Sequence, residues 1–216
     1  MTVTNYTEET YYLDYNEVNF KKHVHSAIKD SQSDKEKLKA WYLYVRDNWS
    51  YSPYTIYLRK EKYKASVICN TTACHCIDKS ILFSAGLRLM GIPSRIHLAK
   101  VKNHIAAERM IEKIGTDELA PHGFVGVYFN DKWTKASPIF DSGLCDYLNV
   151  DVLEYDGTKD SIFQEFDKKG SQFMEYLKDY GEYADLPFDF IMDIMATEYP
   201  KFAGQALESG KDVVIF

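Results

Sequence analysis

The apolar positions of the chain fall into helical and alternating patterns that predict most of its elements. Leu38, Trp41, Tyr42 and Val45 recur at three- and four-residue intervals, so 34–46 reads as an amphipathic helix capped by Ser33 or Asp34. The tract Asn48-Trp49-Ser50-Tyr51-Ser52-Pro53-Tyr54 ends that helix and reads as extended. Ile77, Ile81, Leu82, Ala85 and Leu89 make a stronger helical stripe over 76–90, stopped by Gly91 and Pro93. A strand over 94–101 follows. Residues 122–129 and 132–136 read as two strands joined by a tight turn at Asn130-Asp131. A short strand near 152–155 and helices near 171–180 and 189–199 complete the expected order. Helices first, a mostly antiparallel sheet next and helices last imply an α+β fold with helices packed on an antiparallel sheet. No repeat or low-complexity linker interrupts 1–216, which is read as one domain.

Composition narrows the function classes. Of 216 residues, 45% are hydrophobic and 27% charged, which fits a folded soluble chain and not a disordered one. The formal net charge of −6 argues against a nucleic-acid partner, since phosphate neutralisation needs a basic surface. Residues 141–200 hold 15 acidic side chains against 4 lysines, which reads as a solvated acidic face. No apolar run approaches the roughly 20 residues that span a bilayer. The start lacks the basic and apolar regions of a secretory signal. A cytoplasmic protein with no membrane partner is expected.

Three of the four cysteines, Cys69, Cys74 and Cys76, lie within eight residues; the fourth is Cys145. Such spacing suits a reducing compartment better than a disulfide framework. All four could be small buried hydrophobes. A zinc site using Cys74, His75 and Cys76, or Cys69, Cys74 and Cys76, is an alternative, disfavoured because no second ligand pair follows. The third reading is a thiol nucleophile. Cys76 opens the strongest helix, where unpaired N–H groups favour a thiolate. A thiolate then needs an imidazole to pair with it and to protonate the leaving group. Among six histidines, His23 and His25 sit in a polar N-terminal helix, and His75 adjoins Cys76 but is expected to point away. His97 and His104 flank the strand after the helix, with His104 the rival base, and His122 begins the hairpin.

From Cys76 through Arg88 to Gly91-Ile92-Pro93-Ser94-Arg95, the chain resembles the core signature of the transglutaminase-like superfamily. There a catalytic cysteine opens a helix that ends, fifteen residues on, in Gly-Ile-Pro-x-Arg. His122 followed eleven residues later by Trp133 resembles the second block, a histidine opening a strand and a tryptophan beyond the turn. More narrowly, Val45-Arg46-Asp47, Lys79, Val101-Lys102-Asn103-His104, Ser137-Pro138-x-Phe140-Asp141 and Glu175-Tyr176 are similar to parts of a bacterial group within that superfamily. The resemblance implies a papain-like, transglutaminase-core architecture and cysteine-dependent acyl transfer on a peptide or protein amide, hydrolysis being favoured over crosslinking. It implies no metal and no organic cofactor. An inactive binding module on the same fold is the competing reading.

The family's orienting aspartate falls at a position held here by Ser137. A two-residue turn at Asn130-Asp131 opposes His122 to Ile139, which puts Ser137 and Asp141 on the His122 face of a regular strand. Either could orient the imidazole; Asp141 is favoured, with capping of the following turn as its bland alternative. The expected catalytic set is Cys76, His122 and Asp141. The Cys76 N–H is one oxyanion donor, and Tyr51, Tyr54 and Asn70 are unranked candidates for a second.

Overall fold

A computed structural model describes residues 3–105, 107–199 and 213–215. In chain order its helices are α1 (Val18–Ala27), α2 (Asp34–Asn48), α3 (Ala65–Ile68), α4 (Cys76–Leu89), α5 (Ala107–Ile114), α6 (Ser142–Leu148) and α7 (Phe188–Glu198). The strands are β1 (Ser50–Tyr51), β2 (Thr55–Tyr57), β3 (Ala73–Cys74), β4 (Ser94–Asn103), β5 (Glu118–Phe129), β6 (Lys132–Ala136), β7 (Met174–Tyr183) and β8 (Val213–Ile215). A four-stranded antiparallel sheet runs in the order β6-β5-β4-β7. Helices and antiparallel sheet thus combine as the α+β pattern predicts. No helix among the described residues is long and apolar enough to cross a membrane.

The centre is α4, and it has no exposed face: every residue from Cys76 to Arg88 is buried. Predicted as an amphipathic stripe, it is enclosed instead by α2 and α3 on one side and the sheet on the other. Its polar side chains are therefore bonded internally, as buried polar groups must be. Ser80 Oγ donates to the Cys76 carbonyl (2.8 Å), and Arg88 donates to the carbonyls of Glu8, Ser94 and Ala184. Lys79 Nζ donates to the Arg46 carbonyl at the end of α2 (2.7 Å), where a cation complements the helix dipole. The two helices touch because residue 86 has no side chain: a Cβ there would fall on the Trp41 indole. That indole donates to the Phe83 carbonyl (3.0 Å). α2 forms at its predicted place, and Ser33 and Glu36 make a reciprocal capping box.

The hairpin has the predicted register, Val125 opposite Ala136 through Phe129 opposite Lys132. Asn130 and Asp131 both take positive φ (50° and 59°), the two-residue turn that matches strand twist. Two expectations fail at its ends. β5 begins at Glu118, so His122 lies inside the strand and not at its start. β6 ends at Ala136, so the pair His122–Ile139 does not form: the Ser137 N–H goes to the Ser161 carbonyl, and Pro138 has no N–H to offer a ladder. Asp141 consequently falls outside the sheet.

The helix expected near 171–180 is strand β7, paired to the free edge of β4. Two register shifts interrupt that ladder, which erases the alternation that marks a strand in sequence. Residues 152–155 form no strand. The two family blocks meet on this sheet, where the Arg95 guanidinium lies over the Trp133 ring (3.8 Å to the centroid) and pairs with Glu182 (2.7 Å).

Candidate active site

Two short strands aim the chain at the nucleophile. β1 and β3 pair in parallel, Tyr51 opposite Cys74, and His75 then caps α4 so that Cys76 is its first residue. Three backbone N–H groups, those of Gly123, Ile77 and Cys76 itself, favour the thiolate of Cys76. The Gly123 contact depends on a bare backbone, since a Cβ on residue 123 would sit 3.2 Å from Ile77 Cα and from Ser80 Oγ. Burial outweighs these donors. Cys76 is 7% exposed, and desolvation, with Asp78 adding repulsion, pushes its thiol up to about 11. The primed thiolate expected from the helix end is thereby overturned, because burial is the larger effect.

The Gly123 N–H lies close enough to the sulfur to favour its thiolate, while β5 lines the cavity on which Cys76 opens with Leu119, Ala120 and Pro121 and not with His122. The imidazole is 3% exposed, and burial lowers its pKa to about 4. Its Nδ1 is buried without a hydrogen-bond partner. Downstream on β5, Val125 and Val127 enter the core around α4, while Phe124 stacks on His97 (4.2 Å between centroids).

Asp141 is the N-cap of α6. Its Oδ1 accepts the Leu144 N–H and its Oδ2 accepts the Tyr51 N–H, both at 2.9 Å. The carboxylate therefore ties α6 to β1, and through Tyr51 to the wall around Cys76. Asp47 joins the same junction by accepting the Ser142 N–H (3.0 Å) and pairing with Arg46 (2.7 Å). Arg46 in turn reaches Glu154 (2.9 Å). Lys79, held at the Arg46 carbonyl, feels Asp141 and Asp47, yet burial brings its ammonium down to about 8. The segments that read as a family pattern in sequence, Arg46-Asp47, Lys79 and Asp141, meet at one electrostatic junction in which Arg46 and Lys79 are buried and Asp47 is exposed. His104 pairs with Glu175 on β7 (3.1 Å). Ser137 is buried, and its carbonyl accepts the Tyr42 hydroxyl (3.2 Å).

Cys76 opens on a small apolar cavity of about 50 Å³. Tyr51, Tyr54 and Tyr63 line one side, Leu119, Ala120 and Pro121 from β5 another, and Ile191, Met195 and Tyr199 from the C-terminal part a third. Tyr51, Pro53, Tyr54 and Leu119 also line a larger cleft of about 740 Å³ bounded by Phe140, Leu144, Tyr147 and Leu148. α7 and Tyr199 carried no signal for this role in the sequence, since only the tertiary fold brings them there. Of the three unranked oxyanion candidates, Tyr51 and Tyr54 line the Cys76 cavity; Asn70 lines a separate polar pocket with His75 and Asp78. The described residues contain no group of three or more His, Cys, Asp or Glu side chains placed to hold a metal ion. In particular, Cys69 contacts Asn19 and Ser66 and Cys74 contacts Thr71, so the cysteines do not converge.

A sequence profile of the transglutaminase-like superfamily matches residues 21–138, from α1 through the hairpin. The chain belongs to that superfamily. No curated protein matches it. Its fold is similar to that of a protein from Cytophaga hutchinsonii provisionally described as a cysteine protease, with 13% identity and a TM-score of 0.48. That likeness covers 81% of this chain and 63% of the other, so the transglutaminase-like chain spans less than two thirds of that protein's length. A solved TGase is similar over 56% of this chain and 30% of its own, with 19% identity and a TM-score of 0.39.

Proposed function

We propose that this transglutaminase-like chain is a cysteine-dependent acyl-transfer enzyme acting on an amide, with Cys76 the nucleophile and His122 its acid–base partner. The observation that carries the proposal is the setting of the sulfur: first residue of a helix buried from Cys76 to Arg88, with nearby N–H groups that favour its thiolate, lining a cavity that shares Tyr51, Pro53, Tyr54 and Leu119 with a cleft. At neutral pH the thiol and the imidazole are both uncharged, because burial raises one and lowers the other. The imidazole therefore works as a general base. It takes the Cys76 proton as the C–S bond forms, and the substrate oxyanion takes the Cys76 N–H. The imidazolium then protonates the leaving amine, and water resolves the thioester. Asp141 serves at one remove, by holding Tyr51 against the cavity.

Hydrolysis is favoured over crosslinking, and the substrate is a peptide or protein amide lying in the cleft. The inactive binding module is the second reading, and Ser137 at the family's aspartate position and the raised thiol favour it. Cleavage of a peptide–aminocoumarin library separates the two. The enzyme reading expects turnover that Cys76→Ser abolishes and His122→Gln reduces by about a thousandfold, as partner loss does at other acyl-transfer sites. Turnover that survives Cys76→Ser, or is unchanged in His122→Gln, overturns it.

A further inference from the structure

His75 adjoins the nucleophile, and its ring turns back onto the helix that Cys76 opens. Nδ1 accepts two backbone N–H groups, from Ile77 (3.1 Å) and Asp78 (3.2 Å). A ring nitrogen that accepts is unprotonated, so the neutral ring carries its proton on Nε2. The Asp78 carboxylate answers from the other side. Its Oδ2 accepts the His75 N–H (3.2 Å), and its Oδ1 lies 3.5 Å from Nε2, which is buried without a hydrogen-bond partner. The pattern is a capping box in which an imidazole stands where serine or threonine usually does. His75 is 4% exposed and lines both the Cys76 cavity and the polar pocket behind it.

We propose that His75 is a positioning residue for Cys76: its Nε2–H tautomer caps the first turn of α4, the turn that Cys76 opens. The inference rests on Cys76 being the nucleophile, as proposed above. The Cys76 N–H, which favours the thiolate, belongs to this turn, and the cap commits the Ile77 and Asp78 N–H groups beside it to Nδ1.

The test compares wild type with His75→Asn, whose side-chain oxygen can cap without titrating, and His75→Ala, which cannot cap. Nitrogen-15 spectra of the wild-type ring at pH 7.5 should show the Nε2–H tautomer. Amide exchange at Ile77 and Asp78 should be faster in His75→Ala than in wild type and return toward the wild-type rate in His75→Asn. At pH 7.5, iodoacetamide labelling of Cys76, read by mass spectrometry, should fall about fivefold to tenfold in His75→Ala, the loss of one helix cap, and recover most of that in His75→Asn. An Nδ1–H tautomer, amide exchange at Ile77 and Asp78 that is unchanged in His75→Ala, or equal labelling of the Asn and Ala variants overturns the proposal. These readouts need no turnover, so loss of the acid–base reading of His122 leaves them standing, and their failure leaves His122 untouched.

Discussion

Asp141 offers the sharpest division between a support and an orienting triad member, and substitution by serine separates its two bonds. Serine is itself a strong N-cap, so Asp141→Ser keeps the acceptor for the Leu144 N–H at the start of α6. Its shorter side chain does not reach the Tyr51 N–H, which now receives a 2.9 Å charge-assisted bond. A hydrogen bond to a charged partner contributes about 1.5–3 kcal/mol. Tyr51 is only partly buried and water can replace some of that bond, so Asp141→Ser should lose about 1.5 kcal/mol. Asp141→Ala loses the cap as well, at about 1 kcal/mol more. Urea unfolding of both variants reads these values. Freed from α6, the Tyr51 wall should open the Cys76 cavity, so labelling of Cys76 by iodoacetamide should speed up in Asp141→Ser. The reasoning is refuted if Asp141→Ser unfolds within 0.5 kcal/mol of wild type and labels at the wild-type rate. Loss of turnover under those same conditions would place Asp141 on the His122 ring, as an orienting triad member.

Two further outcomes follow from the core. Gly86→Ala puts a methyl group on the Trp41 indole, where neither helix can retreat without breaking the bond from Trp41 to the Phe83 carbonyl; a loss of about 1–3 kcal/mol is expected in urea or thermal unfolding, and wild-type stability would contradict the packing described here. His122 is held neutral by burial, with its folded pKa of about 4 below an unfolded value of 6.5; between those two pH values the unfolded chain binds the extra proton, so stability falls as pH drops from 6.5 to about 4, by about 3 kcal/mol, and His122→Gln should flatten that slope in pH-dependent urea titrations.

The parts of the fold that were legible from sequence are those whose side chains repeat against one partner. α2 shows its capping box and its apolar stripe, and the β5–β6 hairpin shows its turn residues, so both lie where the pattern puts them. β7 carries a helical signature in sequence because its bulges break the strand period and its charged residues sit at helical intervals; what fixes it is the free edge of β4, a tertiary fact. At the site, Cys76 was marked by its place before a helical run. The environment of its sulfur was not, because it is made by α7 and Tyr199 from the far end of the chain and by the sheet. Asp141 was placed on the His122 face by extending a strand that stops at Ala136, and a proline two residues on was the sign that it would stop. His75 carried a local sign that went unread: an acidic residue three places on, the spacing of a capping box.

Two opposed effects set the character of the nucleophile. A helix N-terminus stabilises a neighbouring anion by about 0.3–1 kcal/mol, up to about 2 kcal/mol where partly buried. The thiol nevertheless stands at about 11, some 3 kcal/mol on the side of the protonated form relative to an unburied cysteine at 9.0. Removal from water therefore dominates over every donor around the sulfur. On the proposed reading this makes the resting thiol poor toward small electrophiles and dependent on His122 within the attacking step, so proton transfer and C–S bond formation are coupled. A substrate has to fill the apolar cavity to reach the sulfur, and what then reaches the thioester has to come along the same cleft. On the same proposed reading, water and an amine compete for that thioester, and how the shared lining of Tyr51, Pro53, Tyr54 and Leu119 admits each divides hydrolysis from transfer.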